Sequence, residues 1–304
     1  MINTTEKKLL LCSGLQSGGT SIISWCFLQR PDMDGVYDME NSVIHTDFSL
    51  IKTEYTWVKM TVGSFRTTDV VSIYSDMGFE VKPMLVIRDV RFAFSSLIRK
   101  IYGINGNTAE DPPLRLRYRR FLEDWQVFRD KGWPILVYEK FVQDPEVELR
   151  KLTESMSLPW HDSMLDWPKS EDAISYLSPG NETFLQSRGK NQGLKEALMS
   201  NKANFTENMI AEKDLTWLED TFHQFNVENG YPEHIENISM NCPDSRIPQA
   251  EATTRKNILK TIKEINEKYW NAKSKLDRIR GHIVFNTLIR LWSRYVNRNF
   301  RVLE

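Results

Sequence analysis

The stretch Lys8-Leu9-Leu10-Leu11-Cys12-Ser13-Gly14-Leu15-Gln16-Ser17-Gly18-Gly19-Thr20-Ser21 decides the fold. Lys8 to Cys12 is a short, nearly continuous apolar run without alternation, which predicts a strand buried on both faces. Three glycines follow, and then apolar residues at helical spacing from Thr20 to Arg30, so the chain turns tightly and enters a helix. Backbone N–H groups of such a turn point inward and the helix start adds about half a positive charge, which makes an anion cradle without any long side chain. The spacing matches the phosphate loop GxxxxGKS/T, except that Thr20 stands where the lysine belongs. That lysine and a magnesium-binding hydroxyl serve the β and γ phosphates, so an NTPase is disfavoured.

Working outward, Thr56 to Val62, Lys82 to Ile87 and Pro134 to Tyr138 repeat the pattern of buried strands. Helical spacing is read between them over Thr67 to Met77, Val90 to Tyr102, Leu114 to Arg129 and Pro145 to Ser157, the last opened by an Asp144 cap with Pro145 in the first turn. This alternation predicts an α/β fold: a three-layer, P-loop-type parallel sheet flanked by helices, with its ligand site beyond the carboxyl ends of the strands. Leu215 to Val227 is a further helix with Leu215, Leu218, Phe222 and Phe225 on one face.

Composition agrees with a globular chain. In 304 residues, 40% are hydrophobic and 27% charged, which excludes disorder throughout. Three cysteines, Cys12, Cys26 and Cys242, without a CxxC pair support neither a disulfide framework nor a cysteine zinc site, and a reducing cytoplasm is the expected compartment. No HExxH or CxxC constellation is present, so no metal is expected. The first apolar run, Leu9 to Cys12, is far shorter than a membrane span needs and ends in a Gly/Ser cluster instead of a cleavage site.

The net charge of -1 is unevenly spread: residues 255–304 hold 13 Lys/Arg against 4 Asp/Glu. In that tail Ile258, Ile262, Ile265, Tyr269, Ala272, Leu276, Ile279 and Ile283 step alternately by four and three, the seam of a coiled coil. One long C-terminal helix is expected, through which two copies would pair as a homodimer. Its last part, with Arg290, Arg294, Arg298 and Arg301 beside an apolar stripe, also suits packing on its own domain or peripheral contact with an anionic membrane surface. No nucleic acid is expected. The organisation is therefore a main domain over 1–230, a turn-rich linker over 231–254 and a basic helical tail over 255–304.

Two further motifs join the glycine loop. Arg88-Asp89-Val90-Arg91 through Ser96 places an arginine at the end of the third predicted strand and a hydroxyl eight residues later, two groups suited to one phosphate. Val137-Tyr138-Glu139-Lys140-Phe141-Val142-Gln143-Asp144-Pro145-Glu146 forms a strand-to-helix segment. In this order the three motifs resemble the sulfotransferase family, which uses 3′-phosphoadenosine 5′-phosphosulfate (PAPS) as sulfonate donor. The resemblance covers about residues 8 to 160 and leaves the tail outside.

It implies that Gly14 and the stretch Ser17, Gly18, Gly19, Thr20 and Ser21 hold the 5′-phosphosulfate. Arg88 and Ser96 would take the 3′-phosphate, with Tyr138 near the adenine. Arg188, Gly189 and Lys190 resemble the later element that closes on the 3′-phosphate, and Lys59 stands where the family sets a lysine against the transferred sulfonate. The chain departs from the pattern twice. Ser17 occupies a slot that most members fill with Lys or Arg, and Thr61 replaces the histidine of cytosolic members. The base must then come from elsewhere, and Glu40 and His45, after the first helix, are the candidates. The expected activity is transfer of a sulfonate from PAPS to a hydroxyl or amine of an acceptor, a carbohydrate or small metabolite, whose pocket residues 31–55, 103–113 and 158–213 would line. The alternatives are a catalytically impaired relative that binds the nucleotide and a P-loop nucleotide kinase.

Overall fold

The computed structural model describes residues 7–39, 51–63, 65–97, 112–166 and 210–233, with positions 44, 48, 193–195 and 198. Glu40, His45, Arg188 to Lys190 and the tail from 255 to 304 lie outside the described residues.

Five strands form one parallel sheet in the order β2-β3-β1-β4-β5: β1 (Lys7–Gly14), β2 (Met33–Met39), β3 (Tyr55–Met60), β4 (Phe79–Ile87) and β5 (Ile135–Val137). Among the described residues the helices are α1 (Thr20–Leu28), α2 (Thr67–Asp76), α3 (Val90–Leu97), α4 (Pro112–Lys131), α5 (Tyr138–Gln143), α6 (Pro145–Ser155) and α7 (Glu212–Asn229). The four strands and the α/β alternation read in the sequence are present. The strand missed there is β2, which lies within the stretch 31–55 expected to line the acceptor pocket. Met33–Met39 is instead the sheet edge, paired with β3 from Met33↔Tyr55 to Met39↔Met60. Its two aspartates hid the strand, because an edge strand needs only part of its residues to be apolar.

Successive side chains of a strand point to opposite faces. Leu10 and Cys12 of β1, Tyr55 and Trp57 of β3, and Met84 and Val86 of β4 meet Ile23, Cys26 and Phe27 of α1 and Leu149 and Leu152 of α6 in one core. Phe27 stacks on Trp57 at 4.7 Å between centroids, a contact worth about 0.5–1.5 kcal/mol beyond area burial. Asp144 caps α6 as its sequence implies: its carboxylate accepts from Val147 N–H at 3.2 Å, and Pro145 occupies the first turn, where a missing N–H costs nothing.

The chain divides into two compact units. One comprises residues 1–88 and 120–206 and contains the whole sheet; the other comprises 89–119 and 207–304. In the second, the Arg91 guanidinium, fully buried, grips Asp89 through two nitrogens and also donates to the Pro232 and Glu233 carbonyls. Phe94, Tyr118, Trp217 and Phe222 pack edge-on around each other, and Gly230, in the left-handed region at φ 73°, closes α7.

Candidate functional site

β1 is flanked by β3 on one side and β4 on the other, so the direction of sheet growth reverses at β1. Beyond the carboxyl ends of the strands at such a reversal lies the ligand crevice of open α/β sheets. The glycine loop emerges there.

The loop is held by its own backbone. Gly18 N–H donates to the Leu15 carbonyl at 2.9 Å, and Val62 N–H, just after β3, donates to the Gly14 carbonyl at 2.9 Å. The turn sets Ser17 at φ 63° and Gly19 at φ 100°. Gly19 has no substitute, because a Cβ there would stand 2.2 Å from the Tyr138 ring as well as occupy a disfavoured φ. As N-cap of α1, Gly19 supplies no capping side chain, and the first turn holds no acidic residue. The helix start therefore keeps its positive character for an incoming anion. The Ser17 hydroxyl is buried without a hydrogen-bond partner, an orphaned donor at the edge of that cradle. Ser21, one position into α1, is exposed, while Thr20 is buried with its methyl close to Gly14. The slot that carries lysine in nucleotide kinases thus faces inward here.

Arg88 and Tyr138, distant in sequence, converge on this loop. Arg88, directly after β4, donates from Nη1 to the Ser17 carbonyl at 2.9 Å, and its guanidinium lies 5.0 Å from the Tyr138 ring centroid. Tyr138 itself is only 2% exposed. Its ring is thus a wall between Gly19 and Arg88. Ser96 lies half-buried on α3, in the second unit.

Lys59 sits opposite Cys12 in the β3–β1 register, two residues before Gly14. It shares the α1 side of the sheet with Cys12 and Trp57. Burial pushes the Cys12 thiol up to about 12 while the Lys59 ammonium pulls it down, which records how near that charge is. The Lys59 side chain is 5% exposed, and its Nζ pairs with Asp38 Oδ1 at 2.8 Å; the Asp38 side chain is 45% exposed. Sequence reasoning looked for a carboxylate in the same region and passed over Asp38. Recognising Gly35-Val36-Tyr37 as a second strand would have brought its carboxyl end beside that of β3.

A second missed group supports the loop from behind. Asp124, on α4 and almost fully buried, accepts from Thr67 N–H and Thr67 Oγ1, each at 2.7 Å. Thr67 Oγ1 lies 2.9 Å from Ser13 Oγ, one residue before Gly14. Burial pushes Asp124 up to about 6, against the hydrogen bonds from Thr67 that lower it. Arg120, one turn earlier on α4, holds the Gly63 carbonyl. Among the described residues no group of three or more His, Cys, Asp or Glu is placed to hold a metal, and no helix is long and apolar enough to cross a membrane.

The fold and this site define a class: a P-loop-type α/β protein whose first βα turn meets a strand-end arginine and carries no loop lysine. No family model matches the chain and no curated protein matches it. Two of the solved structures that resemble it are sulfotransferases. A mouse sulfotransferase complexed with PAP is 9% identical at a TM-score of 0.39, covering 66% of this chain and 90% of its own. The sulfotransferase domain of a Synechococcus olefin synthase is 12% identical at a TM-score of 0.44, covering 73% and 97%.

Proposed function

We propose that the chain is a sulfotransferase that moves a sulfonate from PAPS to a hydroxyl or amine of an acceptor. The observation that supports this best is the Arg88–Ser17 hydrogen bond with Tyr138 stacked beneath it. It joins three motifs, the other two 71 and 121 residues from the loop serine, at one end of the sheet. A loop that cradles one anion beside an arginine fork fits a nucleotide with phosphates at both ends. The residues present fit such a donor: an uncapped helix start, an orphaned Ser17 hydroxyl, and two glycines, Gly18 and Gly19, whose Cβ atoms would collide with the Leu15 carbonyl and the Tyr138 ring and deform the turn.

The loop N–H groups, with the Ser17 hydroxyl, hold the 5′ end, and Arg88 holds the 3′-phosphate. On the sequence resemblance, Ser96 and Arg188-Gly189-Lys190 join that phosphate. PAPS supplies the sulfonate. Lys59, held at the carboxyl end of β3, neutralises charge that develops on the leaving side, and a group preorganised in this way needs no reorganisation during the reaction. Asp38, its exposed partner, takes the proton of the acceptor hydroxyl or amine, a role that Glu40 and His45 were expected to fill. Positioning and charge neutralisation carry most of such a transfer, as in phosphoryl transfer.

Incubation with radiolabelled PAPS and a mixture of hydroxyl and amine acceptors tests the reading: label should pass to an acceptor without added magnesium. Tight binding of the desulfated nucleotide with no transfer would mark the impaired relative. Failure to bind it, with magnesium-dependent turnover of ATP, would establish the kinase instead.

A further inference from the structure

Among the described residues of the second unit, two buried side-chain N–H groups have nothing to donate to. Arg115, in the first turn of α4, lies with its guanidinium carbon 4.9 Å from the centroid of the Trp217 ring on α7. Its Nε is buried without an acceptor, and so is the indole Nε1 of Trp217. Packing fixes the ring: Phe94 at 6.5 Å, Tyr118 at 6.1 Å and Phe222 at 6.4 Å between centroids surround it. The indole N–H thus has a set direction and cannot swing to find a partner.

Charge deepens the deficit. The first turn of α4 has no acidic residue, and Arg117, Arg119 and Arg120 follow Arg115 before the first carboxylate, Glu123. A cation in the first turn adds to the positive end of the helix dipole instead of offsetting it. Of the carboxylates on α7, Glu219 goes to Arg91 at 3.6 Å, and among the described residues none forms an ion pair with Arg115. Buried N–H donors in folded proteins are almost always paired. Two of them in one stacked pair, at a helix start without an acidic residue, call for acceptor oxygens that the described residues do not supply.

We infer that Arg115 and Trp217 form an oxyanion site that takes a sulfate or phosphate group, free or as a monoester. The guanidinium presents Nε and a terminal nitrogen as a planar fork to two oxygens, and the indole N–H supplies a third donor. This site is built from residues of the second unit alone, and it stands or falls independently of the sulfotransferase reading.

The test follows indole N–H signals of the full-length chain by 15N–1H NMR, the Trp217 signal being the one lost in Trp217→Phe. Titration with sodium sulfate should shift it saturably, while sodium chloride at equal ionic strength should not. Methyl sulfate, run in parallel, separates the sources: an equal response assigns the site to esters, and a response to sulfate alone assigns it to the free ion. Arg115→Lys keeps the charge but loses Nε and the fork, and should weaken the response about tenfold, the worth of one charge-assisted hydrogen bond. The other tryptophan signals report that the variant is folded. A shift equal in chloride, no shift in either sulfate arm, or unchanged affinity in Arg115→Lys would overturn the inference.

Discussion

Replacing Asp124 by asparagine should stabilise the protein above pH 6, although it removes a carboxylate that accepts two hydrogen bonds. Both Thr67 donors reach the same oxygen, Oδ2, at 2.7 Å, and an asparagine carbonyl can occupy that place. What asparagine removes is the cost of a buried charge. Burial raises Asp124 from 3.8 to about 6, so between these values the folded chain binds a proton that the unfolded chain has lost. Stability carried by this group is therefore fully present below about pH 4 and is lost as the pH rises through about 6. A displacement of about two units corresponds to about 3 kcal/mol, at 1.36 kcal/mol per unit. Urea denaturation midpoints measured from pH 4 to 8 should fall with pH in the parent more steeply than in Asp124→Asn, the two curves diverging up to about that amount. Asp124→Ala should be less stable than both, since it strands the Thr67 N–H at the start of α2 and leaves a hole. Parallel curves for the parent and Asp124→Asn, or an asparagine variant weaker than the parent at pH 8, would refute a buried carboxylate held at its own expense behind the loop.

The other expectations concern the crevice. Arg88→Ala should act mainly on donor affinity, measured by equilibrium binding of the desulfated nucleotide, because it removes both a phosphate fork and the brace on the Ser17 carbonyl. Lys59→Ala should act mainly on turnover, by on the order of 10²- to 10³-fold; similar donor affinity and activity in the two variants would refute these separate roles. Asp38→Asn keeps the size of the side chain but cannot accept a proton, and kcat should drop on the order of 10²-fold or more with donor binding intact. Full activity in that variant would return the search for the base to Glu40 and His45. Gly19→Ala should abolish donor binding, since its methyl would enter the Tyr138 ring. Donor affinity equal to the parent's in Gly19→Ala would refute the need for glycine at this position.

Continuous apolar runs made most of the sheet legible, because a strand buried on both faces leaves its record in consecutive residues, as Leu9 to Cys12 and Met84 to Ile87 do. The loop was legible for the same kind of local reason: Gly18 and Gly19 are needed by the turn they form, whatever packs above them. β2 was not, since an edge strand with Asp34 and Asp38 looks like a polar loop until β3 lies beside it. Nor was Asp38 as a site residue, because only the register of two parallel strands brings it to the Lys59 ammonium.

The division follows from the range of each interaction. Backbone conformation and strand burial depend on neighbours a few residues away, so the amino-acid order by itself determined the alternating α/β plan, the glycine turn after β1 and the missing loop lysine. Meetings across dozens of residues, Arg88 with Ser17 and Tyr138, Asp124 with Thr67, Arg115 with Trp217, exist only once strands pair and helices pack. Folding alone decided which charges are buried and which donors are left waiting for a ligand.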